Sequence, residues 1–379
     1  MCKRLESLSS LSKKAQLSGD FSSPQKSRAN QVDLPTMKSE VSMNVMYQVN
    51  KFFKQVVFEG KKPHYSIEDI SSVMLSAALN RKSINSVANR PDADTVFYRL
   101  KNGIRLDKLA DIIKNTAPKV KEKVILAIDG HDIMFYGDKK TQKIVGTKEK
   151  AGSNYAFKYL AVKMINKGKA YFVDLMPMDS GSVVEAAIAS LERLEKKYDI
   201  GLVLMDGEFF SGAIIDHLKK KGCDFIIRRR SLKKLLHLPY HKAIKSRMAY
   251  KSRKGRPDTL EAGFYVYRYH GRKGSFFLAS NMNIDPQRLR ALFKKRWGIE
   301  TGFREVNRLL IKTISKDWRI RMLLYAFSMW LYNYWVRSKR SLILFTLDSM
   351  KTLLFKELRK ALFRLKVTFK DIYCLGGGL

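Results

Sequence analysis

Apolar positions along the chain keep a helical period at both ends and a strand-like one in the middle. From Ser66 onward Ile67, Ile70, Val73, Met74 and Ala77 recur at helical spacing, with Ser66 and Asp69 placed as a capping pair. A second helix is expected at Ser83–Asn89. The turn Arg90-Pro91-Asp92 then leads into a third at Ala93–Lys101, closed by Asn102-Gly103. The continuous run Val124–Ile128, bounded by Lys123 and Asp129, predicts a buried strand, and strand-like stretches follow at Lys143–Gly146, Tyr155–Met164 and Lys169–Met176. Ser182 is placed to cap an amphipathic helix with Val183, Val184, Ala187, Ile188, Leu191 and Leu194 on one face. A strand at Gly201–Met205, a helix at Ser211–Lys221 and a strand at Cys223–Ile227 come next.

The central order reads as β-β-β-α-β-α-β, three meandering strands and then alternating crossovers. It matches a ribonuclease-H-like mixed α/β sheet flanked by helices. The stretches GFYVYRYH and SFFLAS alternate or run apolar like paired strands, so about 228–282 is expected as a β-rich insertion. After Asp285-Pro286 the pattern is helical to the carboxyl end. There Leu323, Leu324, Phe327, Trp330, Leu331 and Tyr334 mark Ile320–Val336, and Leu342–Leu365 forms a further helix. Core packing over the sheet is the default role of that stripe, and a dimer contact is the alternative. The expected division is a flexible basic lead-in at 1–40, a helical region at 41–120 that reads either as a DNA-binding helix-turn-helix or as a structural bundle, a catalytic domain at 121–340 and C-terminal helices at 341–379.

Charge narrows the partner. The chain has 379 residues, with 73 Lys and Arg against 35 Asp and Glu, a net charge of +38. That excess implies a polyanion, with nucleic acid ahead of a ribosomal or membrane-surface role. Twelve Lys or Arg and no acidic residue fall between Arg228 and Arg256, including Arg228, Arg229, Arg230, Lys251, Arg253, Lys254 and Arg256. Such uncompensated charge favours contact with a phosphate backbone. Cys2, Cys223 and Cys374 are too scattered for a disulfide framework or zinc ribbon. With neither a secretory signal nor a transmembrane span expected, a cytoplasmic, nucleoid-associated location follows.

Candidate chemistry rests on three carboxylates. Asp129 and Asp206 each follow an apolar strand, which places them at the carboxyl edge of the sheet. If those strands are neighbours, the two groups converge. A third acid is then expected from a helix, because hard divalent ions prefer oxygen ligands, and Glu300 supplies it. Such a triad suits two-metal phosphoryl transfer, in which attack by water cleaves a strand and attack by a 3′ hydroxyl joins one. Asp132 and Glu208 are read as solvated, and His131 as a neighbouring polar residue.

The segments ILAIDGHD, LVLMDGEF and FKKRWGIETGFREVN resemble the DDE transposases of bacterial and archaeal insertion sequences, most closely the branch whose third motif is Tyr-x2-Arg-x3-Glu-x6-Lys. Phe293 stands at the Tyr position, Arg296 and Glu300 match, and Asn307 stands at the Lys position. The resemblance implies Mg2+, with Mn2+ as substitute, held by Asp129, Asp206 and Glu300. It also implies double-stranded DNA at element termini and target, a homodimer in the DNA complex, and DNA contacts by Arg296 and Asn307. Lys295, Arg304, Arg308 or Lys312 would take over the terminal-phosphate binding that the branch assigns to its Tyr and Lys. The competing readings are a structure-specific nuclease and a non-catalytic DNA-binding protein derived from a transposase.

Overall fold

The computed structural model describes residues 34–57, 65–88, 91–166, 168–179, 183–229, 235–251, 259–271, 274–338 and 346–364. Most of the expected lead-in, residues 1–33, lies outside that set, as do Ser182, Arg230, Arg253, Lys254 and Arg256. The N-terminal helices are α1 (Leu34–Val56), α2 (Ile67–Asn80), α3 (Ile84–Val87), α4 (Ala93–Gly103) and α5 (Leu106–Thr116). Helix α1 therefore begins inside the stretch read as lead-in. The capping box forms as expected: the Asp69 amide donates to Ser66 Oγ at 3.2 Å and the Ser66 amide to Asp69 Oδ2 at 2.8 Å. Val49, Phe52 and Phe53 of α1 are buried, and both rings pack on Phe327.

Then come β1 (Val124–Phe135), β2 (Val145–Lys150), β3 (Ser153–Asn166), β4 (Lys169–Met178), α6 (Val183–Glu195), β5 (Ile200–Met205), a 3-10 turn (Gly207–Phe209), α7 (Gly212–Lys220) and β6 (Asp224–Arg229). Four strands precede α6, one at each of the four strand-like stretches, so the order β-β-β-α-β-α-β is one strand short; β2 is a short edge strand on the first part of β3 and β4 pairs the rest. Strands β7 (Ala243–Lys251), β8 (Thr259–Gly271) and β9 (Gly274–Ser280) form the β-rich insertion. They do not stand apart: β9 pairs β6 antiparallel, so one mixed sheet runs β2-β3-β1-β5-β6-β9-β8-β7 among the described residues. Its parallel core is β1-β5-β6.

Helices α8 (Pro286–Lys294), α9 (Trp297–Asn307), α10 (Trp318–Ser338) and α11 (Leu347–Arg364) complete the chain. Asp285 caps α8 by accepting from the Arg288 amide at 2.8 Å, ahead of Pro286 in the first turn. Helix α10 is buried almost all round, from Ile320 to Val336, and packs on α5, α9 and β4. Its aromatic stripe is core, not a free dimer surface. Asn333, fully buried on α10, accepts from the Phe172 amide at 2.8 Å and donates to the Phe172 carbonyl at 2.7 Å. One side-chain amide thus satisfies an outward-facing pair of β4 backbone groups. No helix among the described residues is long and apolar enough to cross a membrane.

Candidate active site

Strands β1 and β5 are parallel neighbours whose last paired residues are Ile128 and Met205. Asp129 and Asp206 are each the next residue, so the register sets both carboxylates at the point where the two strands part. The convergence expected from the sequence follows. The expectation that Asp129 ends its strand does not hold: β1 continues to Phe135 because the long β3 keeps pairing with it, Asp129 opposite Ala161 and Phe135 opposite Tyr155. Asp129 sits in mid-strand, at the edge only on its β5 side.

Both carboxylates line an acidic pocket of about 470 Å³ with Asp132, Glu208, Lys158, Arg228 and Arg229. Asp206 Oδ1 is buried without a hydrogen-bond partner among the described residues, and Arg228 Nη1 is 4.0 Å from it. Burial pushes the Asp129 carboxyl up to about 7 against the pull of Arg296, and the negative charges of Asp206 and Glu208 push the same way. A buried orphan oxygen beside a second carboxylate that is costly to ionise is a donor set that suits a hard divalent cation.

Glu300 reaches this centre indirectly. Arg296, buried just before α9, donates from Nη1 to Asp129 Oδ2 at 2.8 Å and from Nη2 to Glu300 Oε1 at 2.7 Å. The guanidinium therefore lies between two of the three expected ligands. Among the described residues no three His, Cys, Asp or Glu side chains are gathered tightly enough to hold a metal ion. The physical reason is electrostatic: without another cation, two like charges near a desolvated site are neutralised by the nearest buried arginine.

Glu208 and Asp132 are not simply solvated. Glu208 pairs with Lys158 across Gly130, where an added Cβ would overlap Glu208 Oε1, and Asp132 pairs with Lys150 at 3.0 Å. Gly130 leaves room for that ion pair on one face of β1, while Asp129 and His131 point to the other. His131 stacks on Tyr325 with ring centroids 5.3 Å apart and lies 4.5 Å from Phe303, and its Nε2 is 3.3 Å from Asn307 Oδ1. Burial pulls it down to about 4, so it packs as a neutral ring.

The remaining expected DNA contacts divide. Lys295 and Arg304 are exposed, as is Arg228. Arg229 lies between the rings of Phe210 and Phe264, 5.1 and 5.6 Å from their centroids, with Nη1 buried and unpartnered. Arg296 is taken by the two carboxylates. Arg308 is engaged by Glu305 at 2.9 Å and by both oxygens of Asp348, at 2.5 and 2.7 Å, and Asn307 faces His131. Lys251 ends β7, and its side chain is not among those described.

Lys163 was not singled out from the sequence. It sits on β3 opposite Ala127, beside a β-bulge in the β3–β4 pairing. Its Nζ donates to the Gly298 carbonyl at 2.9 Å and to Tyr332 Oη at 2.7 Å, and it lies 4.9 and 4.4 Å from the Phe172 and Tyr332 ring centres. Burial lowers its pKa to about 7. Gly298 is two residues before Glu300, so Lys163 fixes the first turn of the helix that presents it. A lysine amid the strand-like run Tyr155–Met164 was the available signal.

A mixed sheet whose neighbouring parallel strands bring two carboxylates into one pocket is an arrangement that suits metal-assisted phosphoryl transfer. Residues 121–330, more than half of the chain, match the family model described as "Transposase DDE domain". The chain belongs to that family, whose members transfer phosphoryl groups on DNA and typically use a divalent metal. No curated protein matches it.

Proposed function

We propose that this chain binds the terminal inverted repeats of its own mobile element and cuts and joins DNA strands there, with Asp129, Asp206 and Glu300 as the metal-holding residues. The observation that carries the reading is the β1–β5 register, which sets Asp129 and Asp206 side by side in one acidic pocket, with Glu300 joined to Asp129 through Arg296. Mg2+, with Mn2+ as substitute, would polarise the scissile phosphate and the attacking oxygen there. Asp206 offers the buried free oxygen, Asp129 the most desolvated one, and Glu300 the partly exposed carboxylate that moves most readily. Arg296 is the counter-charge that keeps Asp129 and Glu300 together in the free chain. Lys163 and the Lys158–Glu208 pair hold the two faces of β1 around them.

Within this reading residues 41–120 form the DNA-gripping helical region, the domain at 121–340 carries the chemistry, and two copies pair two element ends. Arg228, which lines the pocket, Lys295, just before α9, and Arg304, on α9, are exposed cations that suit phosphate contacts. The Phe293 and Asn307 positions fit the branch with the Tyr-x2-Arg-x3-Glu-x6-Lys motif, with the tyrosine and lysine replaced. A second reading, a DNA-binding protein whose chemistry has lapsed, draws support from the guanidinium lodged between Asp129 and Glu300. The test is cleavage of supercoiled DNA carrying the gene's own flanks, with Mg2+ or Mn2+. Breaks at the element ends support the transposase. Salt-sensitive binding of the same DNA without a break supports the lapsed protein.

A further inference from the structure

A second cavity, of about 660 Å³, opens at the far end of β1 and shares Asp132 with the acidic pocket. The two concavities therefore adjoin at that residue. Asp132 is three residues past Asp129, about 10 Å along an extended strand. Lys150 offsets its charge, so it does not bar an anion.

Three cations line this cavity from separate elements. Arg81 follows α2 in a left-handed conformation (φ 52°), and Lys312 and Lys316 come from the segment between α9 and α10. The Lys312 amide donates to the Lys82 carbonyl at 3.2 Å, and Ser83 bridges Lys312, so that segment is clipped to the N-terminal helices and Arg81 is held across from the lysines. All three side chains are exposed, and none has an ion-pair partner among the described residues. Between them stand two large apolar side chains, Tyr136 at 68% exposure and Ile314 at 93%. Burial in the core explains neither.

We propose that this groove is a subsite for the single-stranded DNA segment adjoining the scissile phosphate, with Arg81, Lys312 and Lys316 on its phosphates and Tyr136 and Ile314 against its bases. Interleaved cations and exposed apolar faces are the chemistry that binds an unpaired strand without regard to sequence. Its volume lies in the range, roughly 300–1,000 Å³, of pockets that enclose one small organic ligand, enough for an extended nucleotide or two and too small for a duplex. A groove that adjoins the acidic pocket at Asp132 suits the strand being cut as its occupant. The proposal rests on the transposase reading of that pocket.

The test compares binding of two labelled DNAs made from the gene's own flank, one blunt and one with a short single-stranded extension at the element end, by fluorescence anisotropy across a salt series. The triple variant Arg81→Ala, Lys312→Ala, Lys316→Ala is expected to lose the preference for the extended DNA over the blunt duplex, and about 2 from its log–log salt slope on the extended DNA. Tyr136→Ala is expected to weaken the extended DNA roughly tenfold. An iodouridine in the extension is expected to crosslink to Tyr136 in the native protein. Native binding with the same preference in all variants and no crosslink at Tyr136 would overturn the subsite and leave the transposase reading standing. Failure of the native chain to bind either DNA would overturn both.

Discussion

Arg296 and Asp129 form a buried ion pair at 2.8 Å, made by a helix and a strand 167 residues apart in sequence. The other end of the same guanidinium holds Glu300 at 2.7 Å, so one side chain gathers two carboxylates from opposite ends of the catalytic domain. In the free chain it occupies the electrostatic place of a cation.

Replacing Arg296 with Ala leaves Asp129 buried without its counter-charge. The metal-free variant is expected to lose about 3–5 kcal/mol of stability. Mn2+ should restore more of the melting temperature in Arg296→Ala than it adds to the native protein. An equal Mn2+ shift in both proteins would mean that Arg296 and the metal do not share these carboxylates.

Asp129 is expected to carry the pH dependence of metal binding. Its folded-state pKa is raised to about 7, so between its ordinary value near 4 and pH 7 the metal-free fold holds a proton that the unfolded chain has released. Its contribution to stability is therefore full below about pH 4 and is lost as pH rises toward 7. Asp129→Asn should remove that fall. Binding of Mn2+ must expel the proton, so native affinity should weaken about tenfold per pH unit below 7 and level off above it. Isothermal titration at pH 5.5, 6.5 and 7.5 measures the slope, and a flat profile contradicts the assignment.

Lys163, buried and bonded to the Gly298 carbonyl, is expected to position Glu300 without touching DNA. Lys163→Met keeps the volume and removes a buried charge, so its stability is expected to stay within about 1.5 kcal/mol of native. Cleavage turnover should fall at least tenfold with DNA affinity unchanged. Gly302→Ala, whose added Cβ would overlap Lys163 Nζ, should give the same split. A matching loss of DNA affinity in both would assign the lysine to binding.

Asn333 closes the edge of β4. Asn333→Leu strands the Phe172 amide and carbonyl in the core, at about 1–3 kcal/mol for each unsatisfied group. Chemical denaturation should show a loss of several kcal/mol, and a change under about 1 kcal/mol would mean that the edge is satisfied in another way.

Much of this was legible in the chain. The Ser66–Asp69 cap, the Val124–Ile128 strand, the Asp285-Pro286 helix start and the strands of the insertion follow from local rules, and the structure has each of them. What local rules miss is pairing. Strand β1 runs on past Asp129 because β3 is long enough to hold it, which no feature of GHDIMF announces. Lys158, opposite Asp132, becomes a partner of Glu208 only once the register is set. The role of Arg296 was hidden for a similar reason: an arginine in a helical motif beside basic neighbours reads as a DNA contact, and only the tertiary fold reveals Asp129 on its other side.

The three carboxylates are tested together by comparing native protein with Asp129→Asn, Asp206→Asn and Glu300→Gln on DNA carrying the gene's own flanks, scoring cleavage with Mg2+ and binding without it. All three variants are expected to bind the DNA and none to cleave it. Retained cleavage in any one of them, with the native protein active, would remove that residue from the catalytic set and contradict the triad.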